Sequence, residues 1–107
     1  MRTLIVDDQE TSLTILGAIL ERWRFPVSKA NSGEAALRAF EDAAARGEPF
    51  ELLLLDWRMP DPDGMELTRQ IKRHAQIQHR PKIIMLSSYS WGGIALLAVG
   101  ILLHKAR

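Results

Sequence analysis

The chain has 107 residues, enough for one domain with a real hydrophobic core. Its 14 basic and 13 acidic side chains leave a formal net charge of +1, which gives no case for binding nucleic acid or an anionic membrane surface. Cysteine is absent, so disulfides, thiolate chemistry and cysteine-based zinc sites are excluded, and a cytoplasmic location is expected.

The elements follow in chain order. No basic region with a long apolar run opens the sequence, so no secretory leader is expected. Instead Met1-Arg2-Thr3 runs directly into the short apolar stretch Leu4-Ile5-Val6, which predicts a strand. Next, Leu13, Leu16, Ile19, Leu20 and Trp23 fall on one stripe, predicting a helix with Trp23 in the core. Pro26 to Ala30 fits a further, weaker strand. Ser32 is placed to cap a second helix, in which Ala36, Leu37, Phe40 and Ala44 repeat at helical spacing and Gly47 and Pro49 give the stop. Leu52-Leu53-Leu54-Leu55 is an apolar run without alternation, as expected of a strand covered on both faces. Asp63 followed by Glu66 resembles a capping box, opening a third helix with Leu67, Ile71 and Ala75 inward.

Ile83-Ile84-Met85-Leu86 predicts another strand, residues 91–99 a fourth helix, and Ile101-Leu102-Leu103 a last strand. Residues 83–103 carry no charge, but Ser87 to Ser90 and the pair Gly92-Gly93 break the run, so a membrane span is not expected. His74, His79 and His104 read as solvated or structural, not as ligands. Strand and helix alternate throughout. That order predicts a doubly wound parallel α/β sheet formed by residues 1–107 as a single domain.

The polar residues fall at informative places. Asp7 and Asp8 directly follow the first strand run, Asp56 the second and Ser87 a third, and Lys105 comes just after Leu103. In a parallel sheet these ends share the carboxyl edge, where open α/β sheets bind ligands. Taken singly, each has a plain structural reading as a turn, a cap or a solvated tail. Together they bring three carboxylates, a hydroxyl and an ammonium to one edge. Three adjacent carboxylates repel one another at neutral pH, and Mg²⁺, which favours oxygen ligands and shares its shell with phosphate oxygens, relieves that repulsion. A phosphoryl group on Asp56 would then be neutralised by Mg²⁺ and Lys105 and hydrogen-bonded by Ser87.

These residues, with Met59-Pro60, Gly64 and Ser88, resemble the receiver (response-regulator) domain of two-component signalling. The spacing agrees: 48 residues separate Asp8 from Asp56, and 31 separate Asp56 from Ser87. The stretches Asp7 to Ser12, Met85 to Tyr89 and Leu103 to Lys105 look most like receivers of hybrid sensor histidine kinases. The resemblance implies a flavodoxin-like receiver fold, with Asp56 as phosphoacceptor and Mg²⁺ held by Asp7, Asp8, Asp56 and the backbone carbonyl of Arg58. It further implies that Ser87 and Lys105 follow and pair with the phosphoryl group, and that Arg58 and Tyr89 control access of water to it. The donor would be a phosphohistidine on a histidine kinase or a histidine phosphotransfer domain. No enzymatic activity is expected beyond self-phosphorylation and slow hydrolysis of the aspartyl phosphate.

The sequence also departs from the family pattern. Ala106 follows Lys105 where proline is usual, Leu102 replaces an aromatic residue, and only 18 residues separate Ser87 from Lys105. The family's last helix has no counterpart, so the domain reads as C-terminally truncated. An apolar segment 91–103 left without that cover predicts self-association as a homodimer. The alternative function is a receiver-like interaction domain that keeps the fold and does not switch.

Overall fold

In a computed structural model, residues 1–56, 59–60, 62–74 and 81–86 are described. Four strands, β1 (Thr3–Val6), β2 (Val27–Ala30), β3 (Leu52–Asp56) and β4 (Lys82–Leu86), alternate with three helices, α1 (Glu10–Arg22), α2 (Gly33–Ala45) and α3 (Gly64–His74). The strands form one parallel sheet in the order β2-β1-β3-β4. The expected fourth helix over 91–99, the last strand at 101–103, the inward Ala75 and the self-associating segment 91–103 lie outside the described residues, as do His79 and His104.

Topology decides where each helix packs. The chain steps one way along the sheet from β1 to β2, then reverses to reach β3 and β4. Crossovers of one hand then place α1 on one face and α2 with α3 on the other. The core divides accordingly. Ile5, Leu52 and Leu54 pack with Leu13, Leu16 and Leu20 of α1. Leu4, Val6, Leu53 and Leu55 pack with Ala36, Phe40 and Ala43 of α2 and Leu67 and Ile71 of α3. Each of Leu52 to Leu55 is at most 1% exposed, which is why that run shows no polar alternation. Burial of each such side chain contributes about 1.5–3 kcal/mol.

Local signals set the helix ends. The Ser32 hydroxyl accepts a hydrogen bond from the Ala35 amide at 3.1 Å, and the Asp63 carboxylate accepts one from the Glu66 amide at 2.9 Å. These are the expected caps of α2 and α3. The Glu66 carboxylate lies along its own helix and accepts from Arg69, Gln70 and Arg73. After α2 the Gly47 amide bonds the Ala44 carbonyl at 3.1 Å and the Glu48 amide bonds the Ala43 carbonyl at 2.9 Å, with Gly47 at φ 73°. That paired pattern is the Schellman stop. The same pattern ends α1, where Arg24 bonds Glu21 and Phe25 bonds Leu20, but here a non-glycine residue, Arg24, takes the left-handed position at φ 62°.

Two expectations for the helix faces shift. Ala44 is exposed and Ala43 is buried in its place. The two flank the same line below Phe40, since steps of three and four residues depart from that line in opposite directions, and the sheet lies on the side of Ala43. Trp23 is half-buried rather than central. Its ring meets Phe25 edge-on at 6.2 Å, sealing the end of α1.

Candidate functional site

The sheet reverses its strand order between β1 and β3, which are hydrogen-bonded neighbours with Val6 opposite Leu55. One residue further along, the chain reaches Asp7 beside β1 and Asp56 at the end of β3. This is the switch point at the carboxyl edge, where neighbouring loops leave toward opposite faces and open a crevice. Asp7, Asp8 and Asp56 come together there, each offering a carboxylate oxygen within 4.8 Å of the others. Asp7 and Asp56 are buried, whereas Asp8 is exposed, so the cluster is reached from the side of Asp8.

Asp7 is fixed from the start of α1. Its Oδ1 accepts a hydrogen bond from the Gln9 amide at 2.9 Å. The Gln9 side chain makes no capping bond of its own to α1. Burial pushes the Asp7 carboxyl above its ordinary pKa. The bond from Gln9 opposes that push, the Asp56 charge adds to it, the Ser12 hydroxyl opposes it and Asp8 adds a smaller push. Asp7 is therefore held in place by the Gln9 amide while its ionised form is disfavoured by its surroundings.

This donor set fits a small divalent cation. All three side chains offer hard carboxylate oxygens, and a cation between them would remove the repulsion that destabilises Asp7. Arg58, Ser87 and Lys105 lie outside the described residues. Leu86 pairs with Asp56, so Ser87 is next in sequence to a described neighbour of the cluster. Sequence reasoning found the three carboxylates but missed the support around them. The amide of Gln9 leaves no trace in residue types. Ser12 had a signal, a hydroxyl in the first turn of the helix that follows Asp7. Outside the cluster, the meeting of Gly33 and Pro62 at the start of α2 also went unread, since the two lie 29 residues apart and carry no pairing signal.

The comparisons with known proteins agree with this geometry. The response regulator receiver domain family model matches residues 3–100. The transcriptional regulatory protein AruR of Pseudomonas aeruginosa is 36% identical over 76 residues, covering 71% of this chain and 31% of that protein. The two-component response regulator ARR10 of Arabidopsis thaliana is 33% identical over 90 residues, covering 84% of this chain and 15% of that protein. The chain thus spans less than a third of the length of either relative. A receiver domain protein from Clostridium thermocellum superposes with a TM-score of 0.70 at 27% identity, over 92% of this chain and 74% of that one. A CheY-like receiver domain protein from Methanospirillum hungatei gives 0.65 at 31% identity, over 92% and 73%. No helix among the described residues is long and apolar enough to cross a membrane. A matched family model spanning nearly the whole chain, over a parallel sheet with three carboxylates at its switch point, makes this protein a member of the response regulator receiver domain family.

Proposed function

We propose that Asp56 accepts a phosphoryl group from a phosphohistidine, with Mg²⁺ held by Asp7, Asp8 and Asp56. The observation that carries this reading is the convergence of those three carboxylates within 4.8 Å at the switch point. The Asp56 carboxylate oxygen attacks phosphorus. The phosphorus–nitrogen bond of the donor breaks, its electron pair returns to the imidazole, and an acyl phosphate remains on Asp56. Mg²⁺ supplies charge neutralisation for the phosphoryl oxygens and for the clustered carboxylates.

This chain's residues do the positioning. The rigid end of β3 presents Asp56, and the Gln9 amide orients Asp7. By the family resemblance, the Arg58 carbonyl completes the protein ligands, Ser87 hydrogen-bonds the phosphoryl group and Lys105 pairs with it. The donor is a histidine kinase or histidine phosphotransfer domain, and the setting is cytoplasmic. Activity of the domain itself stops at self-phosphorylation and slow hydrolysis. The finer likeness to receivers of hybrid sensor histidine kinases rests on three short stretches of sequence, of which Asp7 to Ser12 borders the cluster. The non-switching alternative is not favoured, because the chain belongs to the receiver family and keeps the acceptor carboxylate at the switch point.

Incubation with Mg²⁺ and a small-molecule phosphodonor, read by intact mass, tests the proposal. A phosphate adduct is expected in the parent and not in Asp56→Asn. An adduct of equal yield in both would refute Asp56 as the acceptor.

A further inference from the structure

Gln9 occupies the N-cap position of α1 with an extended backbone, φ −102° and ψ 120°. Both of its backbone groups are engaged. Its amide donates to Asp7 Oδ1 at 2.9 Å, and its carbonyl accepts from the Leu13 amide at 3.2 Å. The Cα of Gln9 is therefore fixed beside the carboxylate cluster. Its side chain is a different matter. The positions that cap helices favour Ser, Thr, Asp and Asn, whose short side chains reach the first-turn amides. Gln9 forgoes that bond. Among the described residues its carboxamide makes no hydrogen bond, and the residue is exposed. Helix stability thus gives no reason for a glutamine here.

Access to the cluster supplies one. Asp7 and Asp56 are buried and Asp8 is exposed, so a phosphodonor enters from the side of Asp8. Residues 8–11, which follow Asp7, are all exposed. Of these, Asp8 is already assigned to Mg²⁺, Glu10 would repel a phosphoryl group, and Thr11 has a short side chain further into α1. Gln9 alone among the four combines a long side chain with neutral N–H donors. We propose that the Gln9 carboxamide contacts the entering donor and donates a hydrogen bond to a phosphoryl oxygen. The inference rests on the reading of Asp56 as the phosphoacceptor. Gln9 transfers no proton. The bond changes are those of the transfer itself, phosphorus–oxygen forming at Asp56 and phosphorus–nitrogen breaking in the donor. A hydrogen bond to a charged oxygen at a fixed site both orients the phosphoryl group and offsets its charge.

The test compares the parent with Gln9→Met, which keeps the length and removes the donors, Gln9→Ala, which removes the carboxamide altogether, and Gln9→Lys, which restores a donor. All three keep the backbone bond to Asp7. Phosphorylation by phosphoramidate is followed by intact mass at saturating Mg²⁺. Mg²⁺ affinity is read separately by tryptophan fluorescence, Trp57 being next to Asp56 in sequence, and thermal melts run in parallel. Gln9→Met and Gln9→Ala are expected to be phosphorylated about tenfold more slowly than the parent, the effect of one hydrogen bond to a charged group at an open site. Their Mg²⁺ affinity and Tm should match the parent's, and Gln9→Lys should react at close to the parent's rate. Folded Met and Ala variants with the parent's rate overturn the inference. So does a slowing that disappears as Mg²⁺ is raised, which would place the effect on the ion, and so does a Lys variant as slow as Gln9→Met. A parent that acquires no phosphoryl group is a different result: it removes the proposed acceptor itself and this inference with it.

Discussion

Asp7 and Asp56 terminate adjacent parallel strands at the point where the sheet reverses its order, and both are buried, 7% and 6% exposed. The Asp56 charge raises the cost of ionising Asp7, which already bears a desolvation cost larger than that repulsion. The arrangement is poor for stability without a cation and well suited to holding one.

That tension predicts a pH dependence of the metal-free protein. The folded-state pKa of Asp7 is raised from 3.8, so its ionised form weighs against folding at all pH values above that raised pKa. Stability is recovered as pH falls through the raised value, and the recovery is complete below 3.8, where both states are protonated. Asp7→Asn should therefore melt above the parent at neutral pH without metal, with the difference shrinking as the pH is lowered. Added Mg²⁺ should reverse the order by raising the parent's Tm more than the variant's. A neutral-pH melt showing the variant no more stable than the parent would contradict this electrostatic account.

Arg24 occupies the left-handed position of the turn that ends α1, at φ 62°. Glycine adopts that conformation without the Cβ penalty, at some cost in unfolded-chain entropy. Arg24→Gly is expected to stabilise the domain by about 0.5–1 kcal/mol, or about 4 °C in Tm. Gly47→Ala, at φ 73° after α2, should destabilise it by about 1 kcal/mol. Denaturant melts of the two variants check both signs.

Caps and surface pairs should differ in weight. Ser32→Ala removes the bond to the Ala35 amide and should cost about 1 kcal/mol. Arg69→Ala removes a pair to Glu66 at 3.2 Å whose Arg69 side chain is 62% exposed, and should cost less than about 0.5 kcal/mol. Urea unfolding of both, with unchanged slopes, distinguishes them. Equal losses would mean that the surface pair carries more than its exposure allows.

Much of this was legible in the residues. Leu52 to Leu55 announced a strand buried on both sides, and Ser32 and Asp63 announced caps that form as expected. Asp7, Asp8 and Asp56 were legible because short, unalternating runs preceding them implied parallel strands, and parallel strands share one functional edge. The supporting contacts were not. Asp7 is oriented by the Gln9 backbone, which any residue type supplies. Gly33 meets Pro62 through the tertiary approach of a loop to a helix, and nothing local in either segment encodes it. Ala43 and Ala44 were confused because helical spacing alone does not fix which side of a stripe faces the sheet.

The most direct measurement is the intact mass of the parent and of Asp56→Asn after incubation with a small-molecule phosphodonor, each with Mg²⁺ and with a chelator. The account predicts one phosphate adduct, in the parent with Mg²⁺ and in no other sample. A folded parent that acquires no adduct under any condition, or an Asp56→Asn variant that acquires one as readily, would contradict it.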